Sequence, residues 1–184
     1  MLLERHRSQL LVVDIQDRLL PHIANKAEVV ANTEVLLTAA RRLDIPVTVS
    51  EQYPKGLGPT AARLSPFLEG TKIFEKMHFS CAADAEIRRH IRHLDQASGR
   101  DQIVICGIES HVCVLQTALG LAQAGHYVAV VVDAVGSRRR ESWDAAIDRL
   151  LKNEIEMVTT EMTLFEWLGV SGTEEFRDLS RLIK

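Results

Sequence analysis

The sequence predicts a three-layer α/β/α fold around a mainly parallel, Rossmann-like sheet. Short apolar runs of strand length alternate with longer stretches whose apolar residues recur at helical spacing. Such alternation implies right-handed βαβ crossovers and a sheet covered on both faces. The chain has 184 residues, 46% of them hydrophobic, enough to bury a sizeable core as a single domain spanning residues 1–184.

The elements follow in order. Residues 9–14 read as a strand. Val29, Leu36, Ala40 and Leu43 then share one face of a helix that must end before Pro46. Residues 47–52 form the second strand. The stretch 53–66 carries Pro54, Gly56, Gly58 and Pro59 and reads as a long loop without regular structure, of a size that often belongs to a site. A short strand at 71–75 precedes a helix at 84–94, and a strand at 102–106 leads into a helix at 110–124 closed by Gly125. Strand 127–132, helix 140–153 and strand 155–158 continue the alternation, and two short helices at 163–168 and 173–183 finish the chain. In open parallel sheets ligands gather beyond the carboxyl ends of the strands, where the strand order reverses. Asp14, Glu51, Gln52, Gly107 and Asp133 all fall at or near such ends, Asp133 being read mainly as a structural cap.

Composition narrows the function. A net charge of -3 with both signs interspersed marks no nucleic-acid or membrane surface, and the run Arg138-Arg139-Arg140 reads as a solvated loop. No stretch is long and apolar enough to cross a bilayer, and the charged amino terminus lacks a secretory pattern, so the expected location is cytoplasmic. The first strand-to-helix turn, Asp14-Ile15-Gln16-Asp17, has none of the glycines a dinucleotide pyrophosphate needs. Three cysteines without a C-x-x-C pair argue against a disulfide scaffold or a zinc ribbon. Cys106 lies inside an apolar strand, and Cys81 is read as partly exposed near a helix start.

Cys113 is the candidate nucleophile. It falls where the strand run Ile103-Val104-Ile105-Cys106-Gly107 breaks into a helix, and unpaired N–H groups at a helix start favour a thiolate. Asp14 can take the thiol proton, and Lys76 can hold the resulting charges together. His111, two residues before Cys113, does not face it on a helix and is read as lining the pocket or lying at the surface. Glu51, Gln52, Tyr53, Phe79, His111 and Val112 are the candidates for shaping the substrate pocket, with His78 at its entrance.

Asp, Lys and Cys in this order, set in Val13-Asp14-Ile15-Gln16, Lys76-Met77-His78-Phe79-Ser80 and Gly107-Ile108-Glu109-Ser110-His111-Val112-Cys113, resemble the isochorismatase-like cysteine hydrolases. The resemblance runs from about residue 8 to about 165. Glu51-Gln52-Tyr53-Pro54-Lys55-Gly56-Leu57-Gly58 looks more narrowly like the isochorismatase-domain-containing branch.

The resemblance implies Asp14, Lys76 and Cys113 as a catalytic triad. It assigns the backbone N–H groups of Glu109 and Cys113 to the oxyanion, with a cis peptide at Ile108–Glu109. It also implies a homo-oligomer acting on a small molecule without a cofactor. Metal-dependent amidases of the family carry an Asp-x-His pair after the second strand. This chain has Ser50-Glu51-Gln52-Tyr53 there, so no metal is expected. Members that hydrolyse the vinyl ether of isochorismate lack the cysteine, so Cys113 shifts the expectation toward amide or carbamoyl hydrolysis through a thioester. The alternatives are hydrolysis of another acyl or vinyl-ether bond, or a non-catalytic protein that binds a metabolite or partner on the same fold.

Overall fold

The computed structural model describes residues 1–183. Along the chain run β1 (Ser8–Val13), α1 (Lys26–Arg42), β2 (Val47–Gln52), the single-turn α2 (Pro54–Leu57), β3 (Lys72–Lys76), α3 (Ala85–Ser98), β4 (Gln102–Ile108), α4 (Leu115–Gln123), β5 (Tyr127–Gly136), α5 (Arg140–Lys152), β6 (Glu156–Val158), α6 (Thr160–Leu168) and α7 (Glu174–Leu179). The six strands form one sheet in the order β3-β2-β1-β4-β5-β6. Every pairing between them is parallel. The order reverses between β1 and β4, which puts the expected ligand crevice at the carboxyl ends of those two strands.

Strand periodicity sorts the core into two layers. From β1 and β4, Leu10, Val12, Val104 and Cys106 point to the side of α1 and α6, where they pack with Val29, Leu36, Leu164 and Trp167. Their neighbours Leu11, Val13, Ile103 and Ile105 point the other way, onto Ile87 and Ile91 of α3, Leu121 of α4 and Leu150 of α5. Both central strands are buried along their whole length, as a strand covered on two faces must be. Asp84 caps α3 by accepting from the N–H groups of Glu86 and Ile87.

The structure departs from the sequence reading where tertiary contacts compete with local pattern. The expected helix 110–124 begins instead as a π-helical turn, Ser110–Val114, before α4 takes over; wide turns of this kind are frequent at functional sites. The loop 53–66 contains α2 and a 3₁₀ turn at Ser65–Phe67. β5 runs four residues past the expected end, with a register shift opposite β4 between Ile105 and Gly107. Asp133 therefore sits within β5, where its carboxylate accepts from the N–H and hydroxyl of Thr160, the structural role expected of it.

Candidate active site

The reversal of strand order gathers residues from opposite ends of the sequence. Asp14 directly follows β1 in a left-handed backbone conformation, φ 51°, and Lys76 is the last residue of β3. Both side chains are completely buried, and Lys76 Nζ donates to Asp14 Oδ2 at 2.7 Å. The same ammonium donates to Gln52 Oε1 at 2.9 Å and to the Phe79 carbonyl at 3.1 Å, so its three protons all have acceptors. Ser50 Oγ donates to the other carboxylate oxygen, Asp14 Oδ1, at 2.7 Å. A buried ion pair needs such additional hydrogen bonds to offset its desolvation.

Cys113 enters this pair from the π-helical turn and is 5% exposed, against 0% for Cys81 and Cys106. Its thiol is close enough to the Asp14 carboxylate for the two groups to shift each other's proton affinity. The helix-start argument for a resting thiolate does not hold. Burial and the nearby Asp14 charge push the Cys113 thiol well above its ordinary range, and Lys76 only partly offsets them. Burial likewise raises the Asp14 carboxyl, against the pull of Lys76 and Ser50. The resting arrangement is a neutral thiol beside a buried carboxylate, so a proton must leave the sulfur before it can attack.

The backbone around Cys113 is shaped by a close approach of two strands. Gly107 has φ +123°, and a Cβ there would overlap the Val13 carbonyl oxygen and lie 2.7 Å from the Val13 nitrogen. Only glycine fits. The next peptide but one, Ile108–Glu109, is cis. The Glu109 N–H donates no hydrogen bond to another described residue. The Glu109 carboxylate is gripped by Arg138 through Nε at 2.7 Å and Nη2 at 3.0 Å, a bidentate pair. His111 Nδ1 lies 3.0 Å from Ser137 Oγ. The segment after β5 thus holds the turn at both Glu109 and His111, and Arg138, solvent-exposed as expected of its basic run, is also ion-paired.

Other sequence assignments change in kind. Glu51 does not present its carboxylate to a pocket; Oε1 accepts from the Thr60 N–H at 2.6 Å and hydroxyl at 2.7 Å, pinning the 53–66 segment. Gln52 supports Lys76, and its own amide is oriented by donation to the Met77 carbonyl at 3.0 Å. Phe79 contributes its carbonyl to Lys76 while its ring stays exposed, as does that of Tyr53. Tyr53, His78 and Met77 line a cleft beside Lys76. Gln16, which sequence reasoning passed over, bonds both the N–H and the carbonyl of Gln52, at 2.8 and 3.0 Å. Ser50 was missed too, although a polar residue two positions from Gln52 on a strand shares its face.

Cys81 is fully buried, not partly exposed, and its thiol is pushed up to about 11; that of Cys106 is pushed up to about 12. Limited iodoacetamide at neutral pH is therefore expected to label Cys113 before either of them, because it alone has both partial access and an adjacent base. Peptide mapping of the alkylated protein reads the order, and labelling of Cys81 first would remove the basis for assigning the nucleophile.

Among the described residues no helix is long and apolar enough to cross a membrane. Residues 8–162 match the family model described as the isochorismatase domain. The secreted isochorismatase effector Isc1 of Phytophthora sojae is 35% identical over 97% of this chain and 85% of its own length. Isochorismatase domain-containing protein 2A of Mus musculus is 32% identical over 96% of this chain and 82% of its own. The solved structure of the MAR1 ribonuclease from Caenorhabditis elegans superposes with a TM-score of 0.91 at 34% identity, covering 100% of this chain and 92% of that one. A family match over most of the chain, joined by relatives of the isochorismatase-domain-containing branch, establishes that this chain belongs to the isochorismatase-like hydrolase family.

Proposed function

We propose that this chain is a cysteine hydrolase that cleaves a small-molecule amide or carbamoyl bond through a Cys113 thioester, without a metal. The observation that carries this is the fully buried Asp14 carboxylate, held at 2.7 Å by Lys76, whose charge acts directly on the neighbouring Cys113 thiol. Asp14 accepts the thiol proton as the sulfur attacks the carbonyl carbon. A base whose proton affinity is raised by burial is better matched to neutral pH than an ordinary carboxylate. The tetrahedral oxyanion is taken by the N–H groups of Glu109 and Cys113. Asp14 then returns the proton to the departing ammonia or amine as the C–N bond breaks. Water, deprotonated by Asp14, attacks the thioester, releasing the acid and the Cys113 thiol. The Lys76 ammonium, 2.7 Å from Asp14 Oδ2, offsets the alternating charge on sulfur and carboxylate.

The position where metal-dependent amidases of the family carry ligands supports the metal-free part of this proposal. Here it holds Glu51, bonded to Thr60, and Gln52, bonded to Lys76. The near-complete burial of Cys113 favours a small substrate over a polymer. The exposed Tyr53, Met77 and Phe79 beside the site suit a homo-oligomer that covers its mouth, and a nucleophilic thiol suits the reducing cytoplasm.

A panel of small primary amides and carbamoyl compounds, scored by ammonia release, tests the reading. Activity is expected in the wild type, lost in Cys113→Ala and retained after exhaustive chelation. Loss with chelator and recovery with zinc or manganese would overturn the metal-free mechanism. RNA cleavage that survives Cys113→Ala would replace the amide reading altogether.

A further inference from the structure

β2 ends with two polar side chains on one face, Ser50 and Gln52, and they divide the ion pair between them. Gln52 offers an amide oxygen to the Lys76 ammonium, and Ser50 offers a hydroxyl to the Asp14 carboxylate. A serine hydroxyl has a single proton, and its direction is normally free. Here it is not. The Cys81 thiol donates to Ser50 Oγ at 3.4 Å, which occupies an acceptor site on that oxygen and leaves its own proton for Asp14 Oδ1 at 2.7 Å. Cys81 is itself fixed, since its N–H donates to Thr117 Oγ1 of α4 at 2.9 Å. The result is a buried donor chain, Cys81 to Ser50 to Asp14, whose members come from three different segments of the fold. Hydrogen bonds arranged in series polarise one another in a low-dielectric interior.

We propose that Ser50, oriented by Cys81, is a positioning residue that keeps the Asp14 carboxylate ionised and aimed at Cys113, an inference that rests on the cysteine-hydrolase reading above. Asp14 has two oxygens and must leave one lobe for the incoming thiol proton. Lys76 claims Oδ2 and Ser50 claims Oδ1, so the carboxylate cannot rotate without losing a charge-assisted bond. The titratable groups that face it are Lys76 from β3, Cys113 from the turn after β4 and, one hydrogen bond further out, Cys81 from the segment before α3. Burial keeps Cys81 protonated at neutral pH, with its thiol pushed up to about 11, so it stays a donor while Asp14 titrates. Removing the Ser50 hydroxyl takes away a bond made to the charged form, which makes Asp14 easier to protonate.

The pH dependence of iodoacetamide alkylation at Cys113, followed by peptide mapping, tests this without a substrate. In the wild type the rate is expected to rise as Asp14 ionises and becomes able to take the thiol proton. Ser50→Ala is expected to move that rise upward by about one pH unit, making alkylation roughly tenfold slower below the midpoint. Cys81→Ala should move it the same way by less, and Ser50→Thr, which keeps the hydroxyl, should return it toward the wild-type position. Unchanged midpoints in Ser50→Ala and Cys81→Ala, whatever happens to the overall rate, would overturn the inference and leave the cysteine-hydrolase reading standing. Should Ser50→Ala fail to fold, the Cys81→Ala midpoint decides. A wild-type rate with no acidic limb would sink both, because Asp14 would then not be the base for Cys113.

Discussion

Asp14→Asn is expected to lower turnover by roughly 10²–10⁴-fold while the protein stays folded, the range typical of losing a general base. The amide keeps the shape of the carboxylate and still offers one oxygen to Lys76 or Ser50, but it cannot take the thiol proton. Burial still disfavours the Cys113 thiolate in this variant, and the loss of the Asp14 charge relieves only part of what holds the thiol up, so the missing base is not made good. Lys76→Ala should lose a similar factor in turnover and also lose stability. It strands the Asp14 carboxylate in a fully buried site, and removing one partner of a buried pair costs about 3–5 kcal/mol. Steady-state kinetics and thermal melts on the two variants separate the effects. Near-normal turnover in a folded Asp14→Asn protein would show that another group activates Cys113.

Gly107→Ala is expected to be the most disruptive of the conservative substitutions near the site. The added methyl meets backbone rather than a movable side chain: the Val13 carbonyl and nitrogen of the paired strand, in a residue whose φ of +123° already excludes other side chains. Strain and overlap together should cost about 3 kcal/mol or more, a fall of about 10 °C in Tm for a chain of this size. The same displacement moves β4 away from β1, and with it the turn that carries Cys113 away from Asp14. Activity should therefore fall further than stability does. A folded Gly107→Ala protein with wild-type Tm and turnover would mean that the strands can part at this point without disturbing the site.

Both experiments bear on residues that stood out before the fold was known, and the reasons they stood out differ. Gly107 and Cys113 could be placed from the end of an apolar strand run, which is a local signal. Asp14 and Lys76 gained their roles from a family resemblance, because a buried lysine and a surface lysine look alike in sequence. The parallel sheet with helices on both faces was legible because strand and helix periods alternate along most of the chain, the 53–66 stretch excepted. The long 53–66 loop was legible by its prolines and glycines, yet the helical turn within it was not, since a single turn has too few residues to show a period.

What the sequence determined by itself was the architecture and the place of Cys113 just beyond an apolar strand, since both rest on short-range pattern. What only the tertiary structure decided was the environment that gives these groups their chemistry. Local reasoning about helix ends assigned Cys113 an easily formed thiolate, but burial and the Asp14 charge, set by contacts between β1 and the turn after β4, push it the other way. Glu51 and Gln52 could be placed near the crevice from their strand end. Their side-chain partners, Thr60 for one and Lys76 for the other, depend on how the following loop and β3 fold back onto β2. Ser50, Cys81 and Arg138 carry no local signature of their work, because each acts on a residue at least 29 positions away. Proton affinity and hydrogen-bond direction are properties of the three-dimensional surroundings, and those exist only once distant segments of the chain have met.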